Sequence, residues 1–211
     1  MNPTVYVIDD DAGIQEVLDW LLTSVGLEVR PFSNAQDFIK VINSDISQGI
    51  QSGCILLDVR MPVMSGLELQ QVLLENSIMI PVIFITGHGD VPMAVNALKL
   101  GAFDFVQKPF NNQQLLDTVL KAIRASEDIL ARESRVRDKE LKLSVLTARE
   151  SDVYSLLVLG YSNKGISKEL DVGTKTIETH RANIIKKLNV RDLSELMAIE
   201  LVDKIEPEVS L

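Results

Sequence analysis

The sequence predicts a doubly wound α/β domain with a five-stranded parallel sheet, followed by an all-α domain of four helices built round a helix-turn-helix. Three observations carry this reading. Five short apolar runs alternate with helical patterns between Thr4 and Ile123, and right-handed crossovers turn such a sequence into a parallel sheet with every strand's carboxyl end on one edge. From Leu146 onward the strand patterns stop and four capped helical stretches follow. The charge divides in the same way: residues 1–125 hold seven Lys/Arg and fourteen Asp/Glu, net −7, whereas residues 160–191 hold seven and three, net +4. With 211 residues, 46% of them hydrophobic, the chain can bury two small cores.

The first strand is Thr4-Val5-Tyr6-Val7-Ile8, ending in Asp9-Asp10-Asp11; a helix with Ile14, Val17, Leu18, Leu21, Leu22 and Val25 then stops at Gly26. Residues 27–32 read as the second strand. Ser33 opens a short helix by capping-box spacing with Gln36, running toward Ile42, and residues 43–53 read as polar loop. Cys54 to Asp58 is the third strand, and Leu67, Leu69, Val72 and Leu73 mark the next helix. Residues 80–85 form the fourth strand, ending at Thr86. Pro92 sits in the first turn of a helix that Gly101 ends, and Phe103 to Val106 is the fifth strand, followed by Gln107-Lys108-Pro109. Asn112 starts a helix that continues without Gly or Pro through residues 126–140, where five acids and four bases leave little apolar surface. A solvated helical linker over 125–142 is expected, between domains at 1–124 and 143–206.

Bulk properties exclude several classes. No apolar run reaches about 18 residues and no secretory leader is evident, so a cytoplasmic protein with no membrane partner is expected. The lone cysteine, Cys54, lies inside an apolar strand and reads as a small hydrophobe. Gly87-His88-Gly89 lacks the third glycine and downstream acid of a dinucleotide fingerprint.

The predicted sheet edge collects Asp9, Asp10, Asp58, Thr86 and Lys108. An aspartate triplet is more than a helix cap needs; its mutual repulsion implies a cation, and hard oxygen donors suit Mg²⁺. Asp58 as nucleophile, with a hydroxyl and an ammonium for the phosphoryl oxygens, makes coherent chemistry for phosphoryl transfer to a carboxylate.

On these residues the first half resembles the receiver domain, flavodoxin-like in fold, of bacterial two-component response regulators. The resemblance implies Asp58 as phosphoacceptor and Mg²⁺ held by Asp9, Asp10, Asp58 and the Arg60 backbone carbonyl. Thr86 and Lys108 would contact the phosphoryl group, with Lys108-Pro109 cis and Phe105 as switch aromatic. Arg60 and His88, two residues after Asp58 and Thr86, are expected to tune phosphoryl lifetime.

In the second half, Thr147 and Glu150 form a capping box for a helix that closes at Gly160, Ser162 caps a short helix, and Asp171-Val172-Gly173 is a tight turn. Thr174 opens the third helix, whose 100° repeat puts Ile177, Ile184 and Leu188 on one face and Lys175, Glu178, Thr179, Ala182, Asn183 and Lys186 largely opposite. Asp192 and Glu195 repeat the capping-box spacing before a fourth helix. The span from Leu146, including Thr176-Ile177-Glu178-Thr179-His180-Arg181-Ala182-Asn183, resembles LuxR-type DNA-binding domains of the FixJ/NarL family. The resemblance implies that Glu178, Thr179 and Ala182 face bases, while Ser162, Asn163, Thr174, His180 and Lys187 lie near phosphates of double-stranded DNA. Leu193, Met197 and Leu201 are its dimerisation candidates. Gly165 and Glu178 depart from the usual pattern of relatives.

A response-regulator transcription factor is therefore expected, phosphorylated by a sensor histidine kinase, dimerising on phosphorylation and binding paired half-sites, with RNA polymerase a further partner. Its only enzymatic steps would be phosphorylation and dephosphorylation of itself at Asp58. The alternative is an aspartyl-phosphate hydrolase or phosphotransferase with an accessory helical domain, although Arg60 stands where a dehalogenase-like phosphatase has a second Asp. A constitutive DNA-binding dimer with a relic receiver is a third reading.

Overall fold

The computed structural model describes residues 3–48, 52–87, 95 and 97–201. Five strands, β1 (Thr4–Ile8), β2 (Glu28–Phe32), β3 (Gly53–Asp58), β4 (Val82–Thr86) and β5 (Asp104–Gln107), form one parallel sheet in the order β2-β1-β3-β4-β5. Helices α1 (Ala12–Thr23), α2 (Ala35–Gln48) and α3 (Gly66–Glu75) connect the first four strands. Leaving β1 toward opposite neighbours creates a gap in the connections at the carboxyl ends of β1 and β3, where ligands of such sheets collect.

The two faces follow from strand periodicity. Tyr6, Ile8, Ile55, Leu57 and Phe84 join Phe38, Ile42, Leu69 and Leu73 in one cluster. Val5, Val7, Cys54, Leu56, Ile83 and Ile85 join Leu18, Leu22, Leu115 and Val119 in the other. Alternate residues of each central strand feed opposite layers, so β1 and β3 are fully buried without any two-faced polar pattern.

Several local expectations are corrected. Helix α2 extends to Gln48, because no glycine or proline stands before Gly49 and a polar stretch can form the solvated turns of a helix already anchored by Phe38 and Ile42. Its cap is Asn34, not Ser33: Asn34 Oδ1 accepts from the Asp37 amide at 2.9 Å, and its amide donates to Asp37 Oδ2 at 3.0 Å. Val17 and Val25 of the α1 region are half-exposed, leaving Leu18, Leu21 and Leu22 to hold it. Gly26 and Gly101 do end their helical segments in the left-handed region, at φ 82° and 91°. The helix expected to begin at Pro92 falls partly outside the described residues.

Helix α4 (Asn112–Leu143) runs unbroken for 32 residues. The chain divides into two compact units, Met1–Leu130 and Ala131–Leu211. In the second, α5 (Ala148–Val158), α6 (Asn163–Glu169), α7 (Thr174–Leu188) and α8 (Leu193–Leu201) surround a core of Val153, Tyr154, Leu157, Ile166, Ile177, Ile184 and Leu196. The turn between α6 and α7 is made by Asp171, at φ 51°, while Gly173 has an ordinary φ of −58°. An aspartate tolerates the left-handed region through local side-chain bonding, so the glycine was not the residue that the turn required. Asp192 makes only half of the expected capping box, because Glu195 turns its carboxylate to the Arg191 amide and guanidinium. No described helix is long and apolar enough to cross a membrane.

Candidate functional site

The carboxyl ends of β1 and β3 set Asp9 and Asp58 side by side, both buried. Lys108, the residue after Gln107, which pairs with Thr86 at the end of β5, reaches into them: Nζ donates to Asp9 Oδ2 at 2.8 Å and to Asp58 Oδ1 at 2.6 Å. The second Asp58 oxygen accepts from the Arg60 amide at 2.7 Å, and Asp9 Oδ1 from the Asp11 amide at 3.0 Å. Burial pushes the Asp58 carboxyl above its ordinary value, against the pull of Lys108. Burial draws Lys108 down, but its bonds to Asp58 and Asp9 outweigh this and leave the ammonium above its usual range. The pair is thus close and costly to separate.

Glycine geometry explains the proximity of the loop after β3. A Cβ on Gly66 would stand 2.3 Å from the Asp58 carbonyl oxygen. Ser65 caps α3 with a complete capping box, and the Gly66 amide donates to the Val59 carbonyl, so the chain folds back tightly behind the nucleophile candidate. The Lys108-Pro109 bond is cis.

Asp9, Asp10, Asp11, Asp58, Val59, Arg60, Gly87 and Lys108 line a cleft of about 350 Å³. Asp11 is spent on capping α1 through the Gly13 and Ile14 amides, whereas Asp10 is exposed at the rim. Among the described residues no three acidic, His or Cys side chains form a closed metal cage. The donor set still fits Mg²⁺, which binds through one or two carboxylates and keeps several waters. Thr86 is buried, its hydroxyl donating to the Gly87 carbonyl at 3.2 Å. Phe105 is half-buried against the apolar cluster containing Phe84. Arg60 is exposed, and His88 lies outside the described residues.

On α7, Ile177 and Ile184 are buried while Lys175, Thr176, Glu178, Thr179, Ala182, Asn183 and Lys186 are exposed, giving one continuous outer face. His180 is half-buried. Ser162 accepts from the Gly165 amide as the α6 cap, and the Thr174 hydroxyl donates to Ser167. Two partnerships were not legible in the sequence. Arg181 donates to Asn163 Oδ1 at 3.1 Å. The Lys187 ammonium is held at 2.6 Å by Glu150, itself buried, and also reaches the Val145 carbonyl. Bonds from Lys187 and Thr147 hold the Glu150 carboxyl down to about 2. On α8, Met197 and Leu201 are exposed, while Leu193 packs against the helical core.

A doubly wound sheet with an aspartate-lysine cluster at its switch point, followed by a helix-turn-helix domain, defines a signal receiver coupled to a DNA-binding module. Residues 5–120 match the response regulator receiver domain, and residues 144–199 match the bacterial regulatory proteins of the luxR family. The chain is similar to the transcriptional regulatory protein TdiR of Thauera aromatica, 42% identical over 194 residues, covering 92% of this chain and 83% of TdiR. It is 40% identical over 197 residues to the transcriptional regulatory protein FixJ of Bradyrhizobium diazoefficiens, covering 93% and 94% of the two chains. Among solved structures, that of response regulator StyR has 40% identity and a TM-score of 0.75, covering 95% of this chain and 98% of that one. The chain belongs to the response regulator family: it is a phosphorylation-dependent, transcription-regulating member with a LuxR-type DNA-binding domain.

Proposed function

We propose that Asp58 accepts the phosphoryl group from a sensor histidine kinase. The observation that carries this reading is the Lys108 ammonium shared between Asp58 and Asp9, at 2.6 and 2.8 Å. An Asp58 oxygen forms the bond to phosphorus as the bond from phosphorus to the kinase imidazole breaks, its electron pair returning to that nitrogen. Lys108 then neutralises phosphoryl oxygens, and Thr86 turns its hydroxyl from the Gly87 carbonyl toward them. Asp9, Asp10, Asp58 and the Arg60 carbonyl would hold Mg²⁺, which would supply further charge neutralisation there. Arg60 and His88 set the lifetime of the acyl phosphate. The chain acts on no other substrate, its chemistry being confined to its own phosphorylation and dephosphorylation.

Movement of Thr86 draws Phe105 further into the apolar layer, biasing the receiver toward a dimerising state. Domain limits at 1–124 and 143–206, with a helical linker over 125–142, place the switch and its output on separate modules. The dimer brings two helix-turn-helix domains onto paired half-sites, with Leu193, Met197 and Leu201 contributing to the α8 contact. Ser162, Asn163, Thr174, Lys175, Thr176, His180, Asn183, Lys186 and Lys187 serve the DNA side together with Glu178, Thr179 and Ala182, and RNA polymerase is the partner of the DNA-bound state.

The test is a titration of the full chain against duplex DNA carrying its regulated promoter, at two salt concentrations, with and without acetyl phosphate and Mg²⁺. Affinity that rises with acetyl phosphate in wild type, stays flat in Asp58→Asn, and weakens with salt supports the reading. Equal response of both proteins would contradict it.

A further inference from the structure

The outer face of α7 is unusual in what it offers a ligand. Glu178 is the single acid of that helix, exposed, and no hydrogen bond or ion pair holds it among the described residues. The Thr179 hydroxyl donates to the Lys175 carbonyl at 3.0 Å, so its proton is already used and a methyl and lone pairs remain. Ala182 adds only a methyl. Three exposed neighbours on one face thus present acceptors and methyl groups, with no free donor among them. Lys175 and Lys186 flank them at either end of the face.

Resting on the DNA-binding reading, we infer that Glu178 is the specificity-determining residue of the recognition helix, selecting cytosine through its N4 amino group, beside a thymine read by the methyl groups of Thr179 and Ala182. In a helix-turn-helix the N-terminal residues of the second helix meet base edges in the major groove. A carboxylate there is repelled by phosphates and by the acceptor edge of guanine, O6 and N7. Cytosine N4 and adenine N6 are the donating edges, but adenine also presents its N7 acceptor to the second carboxylate oxygen, which leaves cytosine as the matched partner. The thymine C5-methyl is the base feature that suits an alanine and a threonine whose hydroxyl faces its own helix.

The experiment is selection from a pool of random duplexes by the full chain treated with acetyl phosphate and Mg²⁺. Wild type, Glu178→Gln, Glu178→Ala, Thr179→Val and Thr179→Ser are compared, each first checked by circular dichroism. Wild type is expected to enrich a cytosine at one position in each half-site. Glu178→Gln exchanges it for adenine, which an amide reads through N6 and N7, and Glu178→Ala loses the preference by about tenfold. Thr179→Val leaves the motif unchanged, whereas Thr179→Ser relaxes the neighbouring thymine. A motif identical in wild type and both Glu178 variants overturns this inference alone. No enriched motif with wild type overturns it together with the DNA-binding reading.

Discussion

Lys108 Nζ bridges Asp58 and Asp9 at 2.6 and 2.8 Å, so one ammonium compensates two buried carboxylates that adjacent strands force together. The compensation is incomplete, because burial still holds the Asp58 carboxyl above its ordinary value. A group whose folded pKa is raised costs stability when ionised, and that cost disappears as pH falls through the folded value. At neutral pH Asp58→Asn should therefore stabilise the receiver by about 1 kcal/mol, a typical gain from relieving a functional site. Lys108→Met leaves two uncompensated acids and should destabilise it by about 2 kcal/mol, below the usual cost of breaking a fully buried pair because Lys108 is partly exposed. Urea unfolding of the two variants checks both signs; a destabilised Asp58→Asn would show that the cluster is a net source of stability.

In the DNA-binding domain the sign is reversed. Glu150 lies at about 2, below its ordinary 4.5, chiefly through its bond to Lys187. A depressed carboxyl contributes stability that is present above its unfolded value and lost as pH falls toward the folded one. Between pH 4.5 and 2 the helical domain should lose stability, and Glu150→Gln should flatten that dependence while lowering stability at pH 7. Thermal unfolding followed at the α-helical circular-dichroism band across this range is the measurement; parallel pH curves would contradict it.

Two glycines should respond oppositely to alanine. A Cβ at Gly165 meets Tyr161 and Ser162 at 3.4 and 3.5 Å, ordinary contact distances, so Gly165→Ala should stabilise α6 by about 0.5–1 kcal/mol. A Cβ at Gly66 would collide with the Asp58 carbonyl, so Gly66→Ala should destabilise the receiver and slow its phosphorylation together. Unchanged phosphorylation rates in Gly66→Ala would show that the loop yields without moving Asp58.

Burial pushes the Cys54 thiol up to about 12. Iodoacetamide should leave it unmodified in the folded protein at pH 8 and alkylate it fully in 6 M guanidinium chloride. Rapid native alkylation would mean that β3 opens locally.

The sheet and its reactive edge were legible because a parallel strand announces itself by a continuous apolar run and its end by the first polar residue. Asp9, Asp58 and Thr86 all stand at such ends, and Lys108 follows one. What escaped was set by contacts between residues far apart in sequence. Lys187, which the resemblance places near phosphates, also bonds through its ammonium to Glu150, 37 residues earlier, a contact that nothing local signals. Arg181 likewise meets Asn163 only because α6 and α7 cross. The final turns of helix α2 have a polar composition that suits a loop as well as a helix, so the sequence alone predicts a shorter element. The caps show the same limit: spacing alone points to Ser33, whereas side-chain geometry makes Asn34 the cap.

The central claim is that Asp58 is the phosphoacceptor. Intact mass, recorded after incubating wild type and Asp58→Asn with acetyl phosphate and Mg²⁺, tests it most directly. One added phosphoryl group on wild type and none on Asp58→Asn is the predicted result. An adduct on both proteins, or donor consumed by wild type with no adduct during the time course, would contradict it, the latter reviving an aspartyl-phosphate hydrolase.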